Sequence, residues 1–207
     1  MSSVETITNA RTFAPHCQGI ARMAYNQPEQ IAWIDVETTG IKSEGGRILE
    51  LGIIITDLKL TESARASWVI YCSPEHLRYL DPKVRQMHTD SGLLHDLTKT
   101  HPDKHGISAV QHHALVLMRE TCQSPPILAG YRVAFDRRWL KAWMPILETN
   151  LSEYTLDISC WRQVMSGLGI KTPARPTVNH RTLADCDAAL NEMRGYEVFR
   201  KLQRGEI

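Results

Sequence analysis

At 207 residues the chain has the length of one domain rather than two. Hydrophobic residues make up 43% and charged residues 23%, which excludes a disordered, collagen-like or coiled-coil chain. Lys plus Arg number 24 against 23 for Asp plus Glu, a formal net charge of +1. No overall field then draws nucleic acid, membranes or acidic partners, and any nucleic-acid contact must be local.

Apolar stretches such as Gly52 to Ile55 and Ala114 to Met118 fall far below the roughly 18 residues needed to span a bilayer. The first 30 residues lack a secretory apolar region, so a soluble cytoplasmic protein with no membrane partner is expected. Five cysteines, at 17, 72, 122, 160 and 186, are odd in number and form no CxxC pair. Neither a disulfide framework nor a thiolate zinc site is expected.

Residues 1–30 carry little periodicity and end in a loop-like Asn26-Gln27-Pro28-Glu29-Gln30, so they read as an extension of unknown role ahead of a domain over residues 31–207. From Ile31 the run Ile-Ala-Trp-Ile-Asp-Val-Glu, then Thr-Thr-Gly, predicts a strand stopped by a glycine. Further strands are predicted over Arg47 to Thr56 and Ala66 to Cys72. Their short connections favour an antiparallel meander over the long crossovers of parallel strands. Past Pro74 the pattern turns helical. Ile107, Val110, Leu115, Met118 and Cys122 make an apolar stripe from 107 to 122, and a short strand follows over Ile127 to Tyr131. Asp136 then opens a helix whose Trp139, Leu140, Trp143, Ile146 and Leu147 recur at helical spacing, and further helices are predicted over 158–168 and 182–203. Strands first, then helices with an inserted strand, give an α/β sheet covered by helices.

Asp35 and Glu37 break this pattern. They lie two apart on the first strand, so both side chains point to one face. Like charges held together and partly desolvated cost several kcal/mol each unless paired, protonated or bound to a cation. A hard divalent ion is one remedy; a position at the solvated strand end is another. Asp136 by itself reads as a helix N-cap, and Asp185, three residues after Thr182, as part of a capping box. His180 alone would be an ordinary loop histidine.

Taken together, these residues resemble the DEDDh group of 3′-to-5′ exonucleases. The matching text is Ile34-Asp35-Val36-Glu37-Thr38-Thr39-Gly40, then Asp136 within Gly130 to Leu140, then His180-Arg181-Thr182-Leu183-Ala184-Asp185. Within the group the chain is most similar to oligoribonucleases, through His88-Thr89-Asp90-Ser91-Gly92-Leu93 and Asp136-Arg137-Arg138-Trp139-Leu140. The resemblance implies an RNase H-like mixed sheet beginning with three antiparallel strands and flanked by helices. It implies a metal-dependent exonuclease removing nucleoside monophosphates from short RNA. Asp35, Glu37, Asp136 and Asp185 would hold two divalent cations, Mg2+ or Mn2+, and His180 would be the general base. Thr38, Thr39, Gly40, Ile41 and His88 would meet the substrate, a single-stranded 3′ end with RNA favoured, and the protein would be a homodimer. Ile41 otherwise caps the local core, and His88 otherwise fixes its loop.

The chain departs from oligoribonucleases in two places. Lys83 stands where they carry an aromatic residue, and Glu153-Tyr154 where they carry a Tyr-Arg pair that helps clamp the 5′ phosphate of very short substrates. A proofreading or repair exonuclease acting on single-stranded DNA is therefore an alternative. So is an inactive nucleic-acid-binding module, whose mark would be loss of one of the five catalytic positions; none is lost. Arg137 and Arg138 read as a solvated helix face. Asp157 and Asp187 read as capping or solvated. His101 and His105, four apart, sit beside Pro102 and Gly106, which disfavour a helix and a zinc site there.

Overall fold

The computed structural model describes residues 28–174, 177 and 179–206. Most of the N-terminal extension, residues 1–27, lies outside them.

In chain order the strands and helices are β1 (Gln30–Thr38), β2 (Ile48–Asp57), β3 (Glu62–Val69), α1 (Pro74–Arg78), α2 (Pro82–Asp90), α3 (Leu93–Leu97), α4 (Pro102–His105), α5 (Ile107–Thr121), β4 (Ile127–Gly130), α6 (Val133–Trp143), α7 (Pro145–Thr149), β5 (Thr155–Asp157), α8 (Ile158–Gly167), α9 (Thr182–Arg194) and α10 (Glu197–Gln203). The five strands form one mixed sheet in the order β3-β2-β1-β4-β5. The predicted meander is present, with β1–β2 and β2–β3 antiparallel; β4 and β5 then add in parallel on the other side of β1.

Because successive strand residues point to opposite faces, β1 divides the core in two. Ala32, Ile34 and Val36 join the cluster built with α5, α6 and α7. Ile31 and Trp33 join the cluster built with α8 and α9. Both layers are needed because β1, with a strand on either side, has no edge or open face to leave in water.

Several sequence expectations change. The third strand runs from Glu62, not Ala66, and alternates half-buried and exposed residues as the sheet's edge. The strand β5 was not expected; at three residues it carries too little pattern to be seen. The final helix is broken between Arg194 and Glu197. A short helix does form over Pro102–His105, since proline suits a first helical turn. Within it the His105 Nδ1 accepts the His101 backbone N–H at 2.9 Å. Cys72, Cys122, Cys160 and Cys186 are free thiols. Among the described residues no helix is long and apolar enough to cross a membrane.

Candidate active site

The face of β1 that carries Ile31 and Trp33 under α9 continues as Asp35 and Glu37. The two carboxylates therefore stand where the core beneath α9 gives way to solvent. Asp35 is half-buried, and Glu37 keeps 6% of its surface.

Asp136 comes from α6, which starts at Val133, so this residue is inside the first turn and is not the N-cap. Its Oδ1 accepts the backbone N–H of Val36 at 3.1 Å, fastening α6 to β1 between the two acidic residues. Asp185 lies in the first turn of α9, and the capping box is not formed: the N-cap Arg181 makes no side-chain capping bond, and Thr182 Oγ1 has no hydrogen-bond partner. Its Oδ1 accepts the N–H of Asn179 from the preceding loop at 3.0 Å. His180 in that loop is exposed and adopts φ 52, a left-handed conformation. Glu37, His180 and Asp185 each offer a ligand atom, and the three atoms lie within 4.8 Å of one another.

The electrostatics bind Asp35 and Asp136 to the same group. Burial, and then the charges of Asp136, Glu37, Asp185 and Glu50, raise the Asp35 carboxyl well above the usual range. Burial, followed by the charges of Asp185, Glu50 and Asp136, pushes Glu37 to about 8. Burial also pushes Asp136 to about 8 against the Val36 hydrogen bond, and it raises Asp185 against the Asn179 hydrogen bond. Without a cation the cluster relieves its repulsion by retaining protons. Hard carboxylate oxygens suit Mg2+ or Mn2+, which would favour the ionised forms.

The turn after β1 is tightly specified. The β1–β2 register shifts between Glu37 and Thr38. Thr38 Oγ1 donates to the Gly40 carbonyl at 2.8 Å, and Thr39 exchanges hydrogen bonds with the Arg47 backbone at 2.9 Å. A Cβ added at Gly40 would meet nothing within 4 Å, so open space borders the turn. Ile41 is 79% exposed, which overturns the core-capping alternative.

The direct substrate contact expected of His88 is corrected. The ring has no exposed surface; Nε2 donates to the Thr38 carbonyl at 2.9 Å, and Nδ1 faces Glu37 at 3.8 Å. It supports the turn from behind. Arg137 is likewise no solvated face, since it donates to the carbonyls of Ser152 and Glu153. Arg138 reaches the Ile41 carbonyl at 3.1 Å. Asp157 caps α8, and Asp187 pairs with Arg65 at 2.9 Å. Lys83 and Tyr154 are both exposed.

Sequence reasoning missed Glu50, which is 2% exposed and opposite Glu37 on β2. The signal was there: an acidic residue inside an apolar strand, the same anomaly that exposed Asp35.

The exonuclease family RNase_T matches residues 32–193. The oligoribonuclease of Corynebacterium diphtheriae is 29% identical over 178 residues, covering 81% of each chain. That of Idiomarina loihiensis is 26% identical over 174 residues, covering 83% of this chain and 94% of its own. Among solved structures, Escherichia coli exonuclease I in a zinc-bound complex with single-stranded DNA superposes with a TM-score of 0.61 at 14% identity, over 86% of this chain. Exonuclease I from Methylocaldum szegediense gives 0.55 at 16% identity, over 84% of this chain. The chain spans 42% and 43% of those two proteins, and the likeness concerns the fold.

Proposed function

This chain belongs to the exonuclease family, and on that premise we propose that it removes nucleoside monophosphates from the 3′ end of short RNA. The observation that carries the reading is the convergence of Glu37 on β1 with His180 and Asp185 at the start of α9, more than 140 residues further along the chain. The charges of Asp136, Glu37 and Asp185 all bear on Asp35, which ties these acidic groups into one electrostatic neighbourhood. Asp35, Glu37, Asp136 and Asp185 would hold two divalent cations. Such ions supply positive charge that offsets the phosphate and acidifies a nearby water.

His180 accepts the proton of the attacking water as its oxygen bonds to phosphorus. An imidazole suits this because it is the side chain most often used for general acid–base work. The bond from phosphorus to the 3′ oxygen breaks, that oxygen takes a proton from solvent, and a nucleoside 5′-monophosphate and a strand with a new 3′-hydroxyl are left. The turn Thr38-Thr39-Gly40 and the exposed Ile41 receive the terminal nucleotides, with the apolar side chain reaching between bases. His88 keeps that turn in place through Thr38.

RNA is favoured because the curated relatives named oligoribonuclease align over most of the chain. A second reading, a longer RNA or single-stranded DNA end, draws support from Lys83 and Glu153-Tyr154, which leave out the short-substrate clamp. End-labelled RNA dinucleotides, longer RNA and single-stranded DNA, each with Mg2+, Mn2+ or EDTA, separate the readings. Metal-dependent cleavage fastest on the dinucleotide supports the first; silence on every substrate would leave only a binding module. Sizing measurements test the homodimer.

A further inference from the structure

The residue after His180 does work that the acidic pattern does not explain. Glu50 stands opposite Glu37 in the β1–β2 ladder. A like-charge pair there is unfavourable, and a carboxylate this deeply buried needs a partner. Arg181 supplies one: its Nε donates to the two Glu50 oxygens at 3.2 and 3.1 Å, and its Nη2 to Oε1 at 2.8 Å. Its remaining arm, Nη1, reaches Asp96 Oδ2 on α3 at 2.9 Å. The N–H of Thr182 donates to the same Glu50 carboxylate at 3.1 Å. Glu50 thus receives the start of α9 as well as the guanidinium.

One residue earlier, His180 sits in a left-handed conformation that non-glycine residues keep only where neighbours hold it. Arginine is suited to the task, since its planar fork matches a carboxylate and fixes direction as well as charge.

We propose that Arg181 is a positioning residue, which by bridging Glu50 on β2 and Asp96 on α3 holds His180 over the acidic cluster. The proposal rests on the nuclease reading above. It gives the base its own anchor, separate from the carboxylates that would bind cations.

The test compares wild-type protein with Arg181→Ala, Arg181→Lys and Asp96→Ala. For Arg181→Ala, kcat on an RNA dinucleotide should fall about 10- to 100-fold, the usual cost of losing a group that orients a functional residue. KM and the Mn2+ dissociation constant measured by calorimetry should stay within about twofold, and Arg181→Lys should recover part of the loss. In metal-free protein, amide exchange should quicken over residues 179–190 while β1 is unchanged. Wild-type kcat in Arg181→Ala, or equal losses of kcat and Mn2+ affinity, would overturn the proposal. If Arg181→Ala does not fold, Asp96→Ala decides, since it removes the acceptor of the outer arm: a severalfold lower kcat is expected, and an unchanged one overturns the bridge. Inactivity of the wild-type protein would sink the nuclease reading instead, and amide exchange would still judge the anchor.

Discussion

In the absence of divalent ions, raising the pH through neutrality should weaken the fold. Glu37 keeps its proton up to about 8 when folded, whereas an unfolded chain releases it near 4.5. Between those values the folded state binds more protons than the unfolded state, so stability falls as pH rises. The contribution is complete below about 4.5 and lost above about 8. Each pH unit is worth about 1.4 kcal/mol per group. From pH 6.5 to 8.5, Glu37 alone should cost roughly 2 kcal/mol, and Asp136, also near 8, extends this towards roughly 4. The two share one cluster and do not add in full. Starting at 6.5 limits the part played by His88, which burial holds below its ordinary value and whose contribution has the opposite sign. Urea unfolding in EDTA at both pH values provides the measurement. Glu37→Gln should flatten the slope, and saturating Mg2+ should cancel it, because the ion binds the deprotonated carboxylates. Stability that is constant or increasing over this range in EDTA, in wild type and variant alike, would refute the reasoning.

Three other outcomes are expected. His180→Ala should remove most turnover while Mn2+ affinity, followed by calorimetry, changes far less than in Asp35→Asn. Gly52→Ala should destabilise the protein by about 1–3 kcal/mol in denaturant titrations, because the new Cβ would fall 2.6 Å from the Thr182 side chain and 2.9 Å from its backbone carbonyl carbon. Activity should drop with it as α9 is pushed off β2. Ile41→Ala should raise KM for RNA with little change in unfolding midpoint, since the side chain is 79% exposed and supports no core.

The sheet's beginning was legible because β1 and β2 combine apolar runs with short connections, and the pair Asp35 and Glu37 was legible because a period of two places them on one face. Asp136 and Asp185 looked like caps when read locally. Their roles depend on contacts with Val36 and with the loop at Asn179, and the first of these spans 100 residues, which no local pattern encodes. Glu50 and Arg181 were missed for a related reason. Arg181 is unremarkable beside its sequence neighbours and Glu50 is odd only as an acid in an apolar strand; their pairing appears only when β2 and the start of α9 meet. The edge strand β3 was displaced because its first residues alternate polar and small, leaving only the later apolar stretch to be noticed.

The central place of β1 has a consequence for how the molecule breathes. A strand hydrogen-bonded on both sides and covered on both faces belongs to the last part of a protein to open in local fluctuations. Asp35 and Glu37 ride on that strand, while His180 hangs from a connecting segment outside the sheet. On warming, proton transfer should therefore fail before ion affinity does, giving an interval of temperature in which the protein still captures cations but no longer turns over.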